Sequence, residues 1–486
     1  MSETLKKQAL NGVIWSSIDR FSMQGIQFIL SIIIARQLVP SDYGIIAMLA
    51  IFLALAQAFI DSGFSNALIQ KQNRTDIDYS TVFFFNICVG IIMYGLLVLC
   101  APAISSFYDM PLLNDIIKWV GLNLIVTSFA TVQRAKLIIE LDFKRQAVIS
   151  IVSTLLGGGV SVWMAYRGYG VWTLVASVLV GNFITTVLLW WSARWIPRFA
   201  FSIDSFKELF GFGSKLLAGG LIHIIYKNLY TLIIGKMFPV SQLGAYNKAY
   251  TITQYPSSNL TGVLTRVTYP IECKAQSDNE KLYSIFARII KISTIIIFPL
   301  MIGLCSVAKP FVGLLLTDKW LACVPYLQIM CIAFMWDPIM RLCWDILNVK
   351  HRSDYSLKSE IWKKIVAFVL LFASVPFGIK AMCLSLIIYS ISDIFIVTRF
   401  TKRIIPQISF CHIMRLISPC LVCSIVMGSI VYAYTLFIST YILQLFGGVF
   451  IGICTYAFLS YFICKDDLIY TISLLRNLVT QKTKNT

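Results

Sequence analysis

Predominantly apolar runs of about 20 residues recur fourteen times along this chain, near 13–35, 42–65, 80–106, 115–140, 146–166, 170–192, 215–237, 243–269, 289–316, 323–349, 361–378, 381–400, 413–436 and 442–464. A helix needs about 20 residues to cross the hydrocarbon layer, and inside lipid it satisfies its own backbone hydrogen bonds. The runs therefore predict an all-α polytopic membrane protein with about 14 transmembrane helices. Composition agrees. The chain is 58% hydrophobic and only 13% charged, with a mean hydropathy of +0.78, whereas soluble chains are about 45–50% apolar. Lys6 and Lys7 precede the first run and no small-residue cleavage site follows it. A retained first span is expected rather than a signal peptide.

The net charge of +18 is a matter of topology rather than of nucleic acid, because the bases concentrate in alternate loops. About 27 of the 41 Lys and Arg fall on one side, in the N-terminal segment, around Lys71 and Lys144, in 194–215, 274–291, 350–364 and 399–415, and in the tail. The other side carries 7: Arg36, Lys118, Arg167, Lys236, Lys309, Lys319 and Lys380. The positive-inside rule places both termini in the cytoplasm and supports an even number of spans. The outer loops are short. The inner segment 198–214, RFAFSIDSFKELFGFGS, alternates apolar and charged faces and is expected to be an amphipathic cytoplasmic linker at the membrane interface.

Two distant stretches read alike. SIIIARQLVPSDYG (31–44) and TLIIGKMFPVSQLG (231–244) share a closing base, a Ser and a Gly at an offset of 200 residues, with a Pro nearby in each (Pro40, Pro239). A second echo, VQRAKLIIELDFKR (132–145) and IMRLCWDILNVKHR (339–352), has an offset of 207 and sets Arg134 against Arg341. Six spans separate the copies, so both enter the membrane in the same direction. That is a parallel repeat with its pseudo-two-fold axis along the membrane normal. The expected plan is an N-terminal six-helix lobe (1–197), the linker (198–214), a C-terminal six-helix lobe (215–406), and two extra helices with a cytoplasmic tail (407–486).

Polar residues inside the spans form stripes. Ser16, Arg20, Gln24, Gln27 and Ser31 share one face of span one; His223, Lys227 and Tyr230 share a face of span seven. Gln57, Asp61 and Ser65 line span two, and Ser257, Thr261 and Thr265 stand at the repeat positions. Span eight adds Asn247, Tyr250, Gln254 and Ser258, with Lys248 beside them, and span ten carries Asp337, Arg341 and Asp345 at i, i+4 and i+8. Ionisable groups at bilayer depth are costly and usually face a cavity or a partner. Helix–helix contacts and an Asp337–Arg341–Asp345 ion-pair ladder are the structural alternatives. Asp61 has no neighbour on its own helix expected to hold it charged, which makes it a candidate for ion coupling, with Asp337 and Asp345 next. Arg20, Arg134, Arg266 and Arg341 are expected in the cytoplasmic half of their spans, where guanidinium groups suit a phosphate-bearing substrate.

No pattern for covalent chemistry appears. The sequence has no G-x-x-x-x-G-K-[ST] loop, no nucleophile elbow and no His pair spaced for zinc, and the short outer loops leave no room for a catalytic domain. An enzyme is not expected, nor a metal or other bound cofactor. Thirteen Cys are scattered through apolar spans, and the Cys420-x-x-Cys423 pair lies within one, where it reads as small apolar filler.

LKKQALNGVIWSSIDRFSMQGIQFILSIIIARQLVPSDYGIIAM, DSGFSNALIQKQNRTDIDYSTVFFFN, RAKLIIELDFKRQAVISI and GYGVWTLVASVLVG resemble the polysaccharide transporter branch of the multidrug/oligosaccharidyl-lipid/polysaccharide (MOP) exporter superfamily. Within it the chain is similar to the colanic-acid and teichuronic-acid exporter type, the lipid-linked oligosaccharide flippases. The resemblance covers essentially the whole chain and is strongest over 5–185. It implies two six-helix lobes with two added helices in the bacterial cytoplasmic (inner) membrane. It also implies alternating access that carries an undecaprenyl-diphosphate-linked glycan to the periplasmic face, with proton or sodium coupling, among membrane lipids and polysaccharide polymerase machinery. The family's cationic cavity implies roles for Arg20, Arg134, Lys227, Arg266 and Arg341, joined by Gln24, Gln27, Tyr250 and Gln254 as substrate-binding candidates. An ion-coupled exporter of small solutes or drugs on the same scaffold stands as the alternative.

Overall fold

Capping chemistry sets many of the helix boundaries in the computed structural model. It describes residues 3–61 and 64–465, apart from the side chains of residues 3–14, 17, 66, 212–216, 218, 219, 222 and 223. The candidate His223 side chain and the C-terminal tail from 466 lie outside the described residues. The described residues form helices and short connections, with no strand among them. They fall into two compact units that divide after Gly244.

Unit 1 begins with α1 (Glu3–Gln37), α2 (Pro40–Asp61) and the short α3 (Phe64–Gln70). The next helix, α4 (Asp76–Phe107), starts with a capping box. The Thr75 hydroxyl accepts from the Asp78 amide, and the Asp78 carboxylate accepts from the Thr75 amide at 2.8 Å. Span four is broken into α5 (Leu112–Ser128) and α6 (Thr131–Ile139). Then follow α7 (Phe143–Tyr166), capped by Asp142, and α8 (Trp172–Ala193), which stops at Arg194 in the left-handed region. The last helix of the unit is α9 (Ile203–Met237), capped by Ser202.

The segment around 198–214 takes on a packing role. From Ile203 onward it forms the opening turns of α9, continuous with span seven. Its apolar face packs on protein: Phe206 meets Phe64, Phe85 and Phe210 with ring centroids 5.8, 5.1 and 5.3 Å away. Lys71 bridges Asp78 at 3.0 Å and Glu208 at 2.9 Å, and Arg198 reaches Asp76 at 3.2 Å. Glu208 above all, with Asp78, holds the Lys71 ammonium above its ordinary pKa.

Unit 2 receives α10 (Val240–Lys274), which starts in the last residues of unit 1 and runs through Pro256 and Pro270. It continues with α11 (Asn279–Ser306), α12 (Ala308–Leu316), a 3-10 turn (Asp318–Cys323), α13 (Val324–Phe334), α14 (Asp337–Val349) and α15 (Ser353–Ser374). After α16 (Ile379–Thr401), the added pair α17 (Phe410–Phe437) and α18 (Tyr441–Ile463) packs on α11 and α12.

The breaks obey the repeat. Span four is interrupted at Phe129 and Ala130, and span ten at Met335 and Trp336. Their offset of 206 residues lies within one residue of the spacing of the second echo. Pro338 in the first turn of α14 needs no amide partner there and suits a helix start; no single residue explains the α5–α6 break. Neighbours repeat as well. Span four packs on span six through α5 and α8, and span ten packs on span twelve through α13, α14 and α16.

The two copies of the first motif touch. A Cβ on Gly44 would stand 2.1 Å from the Val240 carbonyl oxygen, and one on Gly244 would stand 1.7 Å from the Pro40 carbonyl oxygen. Pro40 and Val240 are themselves 200 residues apart, so each glycine receives the equivalent carbonyl of the other copy. No side chain fits in that space.

Among the described residues, eleven helical stretches are long and apolar enough to cross a membrane. The other three expected spans correspond to α9 and α10, each 35 residues long, and to α15, at 22 residues. They have the length, but their polar residues lower the hydropathy. Large apolar side chains point outward along the helices, among them Leu99 at 77% exposure and Trp191 at 81%. An outward apolar surface of that kind is what lipid requires.

Candidate functional site

Unit 1 holds a polar cavity of about 550 Å³ formed by α2, α3, α5, α6 and α8. Asp61, Gln57 and Ser65 from the span-two stripe line it, together with Arg134, Asn123 and Asn182. A chain of hydrogen bonds crosses its wall. Thr127 Oγ1 donates to Gln57 Oε1 at 3.1 Å, and Gln57 Nε2 donates to Asp61 Oδ1 at 3.1 Å. Asn182 Nδ2 donates to Asn123 Oδ1 at 2.7 Å, tying α8 to α5. Each such bond in a membrane contributes on the order of 1 kcal/mol.

This corrects one expectation. Asp61 does have a polar neighbour on its own helix, because Gln57 lies one turn earlier and donates to it. The Arg134 guanidinium, carried by α6 just after the break, lies within electrostatic reach of Asp61 and of Asp19 on α1. Asp19 itself is hydrogen-bonded by Ser150 of α7. Arg20 and Gln24 are half-buried on α1, and Gln27 is exposed. Lys227 is exposed on α9. Of the candidates in this unit, Asp61 and Arg134 are the two that line the cavity.

In unit 2 the candidates group along α10 and α14. Tyr250 stacks on Tyr246 and meets Phe334 edge to face, with ring centroids 6.5 and 5.5 Å away. Gln254 is half-buried and Arg266 is exposed on the same helix. The expected three-residue ladder on span ten divides. Arg341 Nε lies 3.2 Å from Asp345 Oδ1. Asp337 instead accepts from the Ser257 hydroxyl, which reaches it from α10. The helix break explains the difference, because Asp337 sits in the first turn of α14, against the end of α13. The Arg341 side chain is 46% exposed, and its guanidinium lies 4.7 Å from the Trp344 ring centroid. One face of that group is therefore open.

Several polar residues escaped the sequence reading. Asn123 and Asn182 each stand alone in an apolar run, and a lone Asn at bilayer depth is the signal that marks them. Lys363 pairs with Asp393 at 3.4 Å, both more than nine-tenths buried, and Tyr389 donates to the same carboxylate at 3.4 Å. Ionisable groups within spans eleven and twelve were the available clue. Glu272 is fully buried near the end of α10. It lies beyond residue 269, where the sequence places the end of span eight. Among the described residues no group of His, Cys, Asp and Glu is arranged to hold a metal ion. Cys420 and Cys423 are buried thiols, and the Cys420 sulfur lies 3.8 Å from that of Cys464.

Residues 33–325 match a family described as "Polysaccharide biosynthesis protein". The chain is 28% identical over 362 residues to the lipopolysaccharide biosynthesis protein WzxC of Escherichia coli (strain K12), covering 74% of each chain. The fold is similar to that of the lipid II flippase MurJ in its inward closed conformation, with a TM-score of 0.75 at 12% identity, covering 93% of this chain and 99% of the other. It is similar too to an inward-facing multidrug resistance MATE family transporter of the MOP superfamily, with a TM-score of 0.63 at 15% identity over 82% and 98% of the two chains. The match to the family spans more than half of the residues, so this chain belongs to the polysaccharide biosynthesis protein family.

Proposed function

We propose that this protein is a flippase that moves a lipid-diphosphate-linked oligosaccharide, built on undecaprenyl diphosphate, from the cytoplasmic to the periplasmic face of the bacterial inner membrane. It acts by alternating access, with both termini cytoplasmic, in surface polysaccharide biosynthesis, and hands its cargo to polymerase machinery. It works as a transporter rather than an enzyme. The names of similar proteins support the reading, since one is a lipopolysaccharide biosynthesis protein and another a lipid II flippase.

The observation that carries it is the pair of broken helices. Interrupted helices at corresponding positions of a repeat mark the substrate region of membrane transporters. Here each fragment after the break bears an arginine, Arg134 on α6 and Arg341 on α14. A diphosphate brings two or more negative charges into a region of low dielectric, where unpaired charge is very costly. Guanidinium groups offset that cost with charge-assisted, bidentate hydrogen bonds, and Arg341 keeps an open face.

Native mass spectrometry of the protein with a lipid diphosphate, alongside a flipping assay in proteoliposomes, tests this. Arg134→Ala and Arg341→Ala should each weaken headgroup binding by about 1.5–3 kcal/mol, roughly ten- to a hundredfold. Arg→Lys should recover only part, because an ammonium is a point charge without the fork. Retention of full lipid-diphosphate binding in both Ala variants would sink the reading. So would transport of neutral solutes with no affinity for the diphosphate.

A further inference from the structure

We propose that Glu272 and Asp345 form a proton-binding pair that controls whether Arg341 is available to an anionic ligand. The proposal deepens the diphosphate reading at Arg341 and rests on it for the ligand, but not for the proton.

Both carboxyl groups are fully buried, and Glu272 of α10 lies within electrostatic reach of Asp345 of α14. Among the described residues the ion-pair partner of Arg341 is Asp345, at 3.2 Å. Neither carboxylate oxygen of Glu272 has a hydrogen-bond partner among the described residues. Two buried carboxylates beside a single guanidinium leave one negative charge uncompensated, and a buried unpaired charge neutralises rather than persists. A proton on Glu272 closes the account of charge: one acid, one carboxylate, one guanidinium. The other groups around the pair do not change this count. Tyr269 and Cys273 share α10 with Glu272, and Cys343 lies on α14 within reach of both Glu272 and Asp393 of α16. Asp393 is matched by its own ion pair with Lys363.

The switch follows from competition. With Glu272 protonated, Arg341 answers to one carboxylate and its open face is free for a phosphate. With Glu272 ionised, two carboxylates draw on the same guanidinium and hold it inward. Anion affinity is therefore full at low pH and falls as pH rises through the titration of the pair, by about tenfold per pH unit where one proton is fully linked. Glu272→Gln copies the protonated form in shape and charge. Arg341→Ala removes the ligand group.

The experiment uses the full-length protein in detergent over about pH 5–9, a range that covers buried glutamates. Infrared difference spectra between the pH limits should contain, in the wild type, a carbonyl band of a buried carboxylic acid that is lost from the set of such bands in Glu272→Gln. Inorganic pyrophosphate binding, measured on the same samples, should weaken with rising pH more steeply for the wild type than for Glu272→Gln. The ligand's own ionisation is common to both proteins and cancels. Identical infrared spectra for the two proteins overturn the proposal, and so does an equal pH slope of binding. An intact infrared band in a wild type that binds no pyrophosphate at any pH supports the proton site and removes the diphosphate reading instead. A Glu272→Gln protein that fails to fold is replaced by Asp345→Asn, which frees Arg341 from its own side and should flatten the same slope; an unchanged slope there overturns the proposal.

Discussion

A single side chain, Asp61, illustrates how a polar stripe becomes a candidate for coupling. It faces a polar cavity with the Gln57 amide on one oxygen and the Arg134 guanidinium within electrostatic reach. Such surroundings can hold a carboxylate or let it exchange a proton or a cation, because the stabilising groups are polar and one of them carries the opposite charge. Asp61→Asn keeps the size and the acceptor for Gln57 and removes only the charge. We expect it to insert and fold normally while gradient-driven transport loses its dependence on pH or on sodium. Transport that responds to both as the wild type does would remove Asp61 from coupling and turn attention to Asp337 and Asp345. The stripe itself was legible, since Gln57, Asp61 and Ser65 recur at helical spacing and all line the cavity. Thr127, which donates to Gln57, and the Asn123–Asn182 pair on the same cavity were not, because a lone polar residue in an apolar run gives no periodic signal and its neighbours come from other helices.

At the level of elements, the repeat was readable and the reason for its glycines was not. Sequence offset alone pairs Gly44 with Gly244. Only the fold reveals that each lies against the backbone of the other copy, at Val240 and at Pro40. Helix breaks were unreadable for a related cause. The runs at 115–140 and 323–349 are each long enough to cross as one helix, and periodicity does not register an interruption of two residues; Pro338 is the one mark of a break that the sequence carries. The opposite error occurs at Pro270, where a proline suggests a stop yet α10 continues to Lys274. The glycine contact gives a stability prediction. Gly44→Ala and Gly244→Ala place a methyl group against backbone carbonyls that cannot rotate away. Overpacking of this kind costs about 1–3 kcal/mol. Gly95→Ala and Gly159→Ala have open space around the added atom and replace a poor helix former with a good one, which favours the helix by up to about 1 kcal/mol. Thermal unfolding in detergent should show the first pair clearly below the wild type and the second pair at or above it. Equal behaviour of the two pairs would mean that the motif copies do not touch.

For the molecule as a whole, loop charge is the feature that turns a list of helices into an oriented protein. The fourteen runs and the all-α class were legible because a bilayer admits so few backbone solutions. The direction of insertion rests on the basic residues alone, and the described loops preserve that asymmetry as accessible structure. On one side, the connection between α3 and α4 carries Lys71 and Arg74, with Asn73 exposed between them. On the other, Asp115 at the start of α5 is 65% exposed, with the lone base Lys118 for company. A cysteine at either place replaces a solvent-facing side chain, so neither should disturb folding, and surface substitutions of this kind usually cost less than about 0.5 kcal/mol. In a background whose thirteen native cysteines are replaced, a membrane-impermeant thiol reagent should label Asp115→Cys in intact cells with a permeable outer layer. It should label Asn73→Cys only after the inner membrane is opened. Labelling of both before opening would place an even number of crossings between them and the expected plan would fail, because α4 is the one span that separates the two positions and must carry the chain from one face to the other.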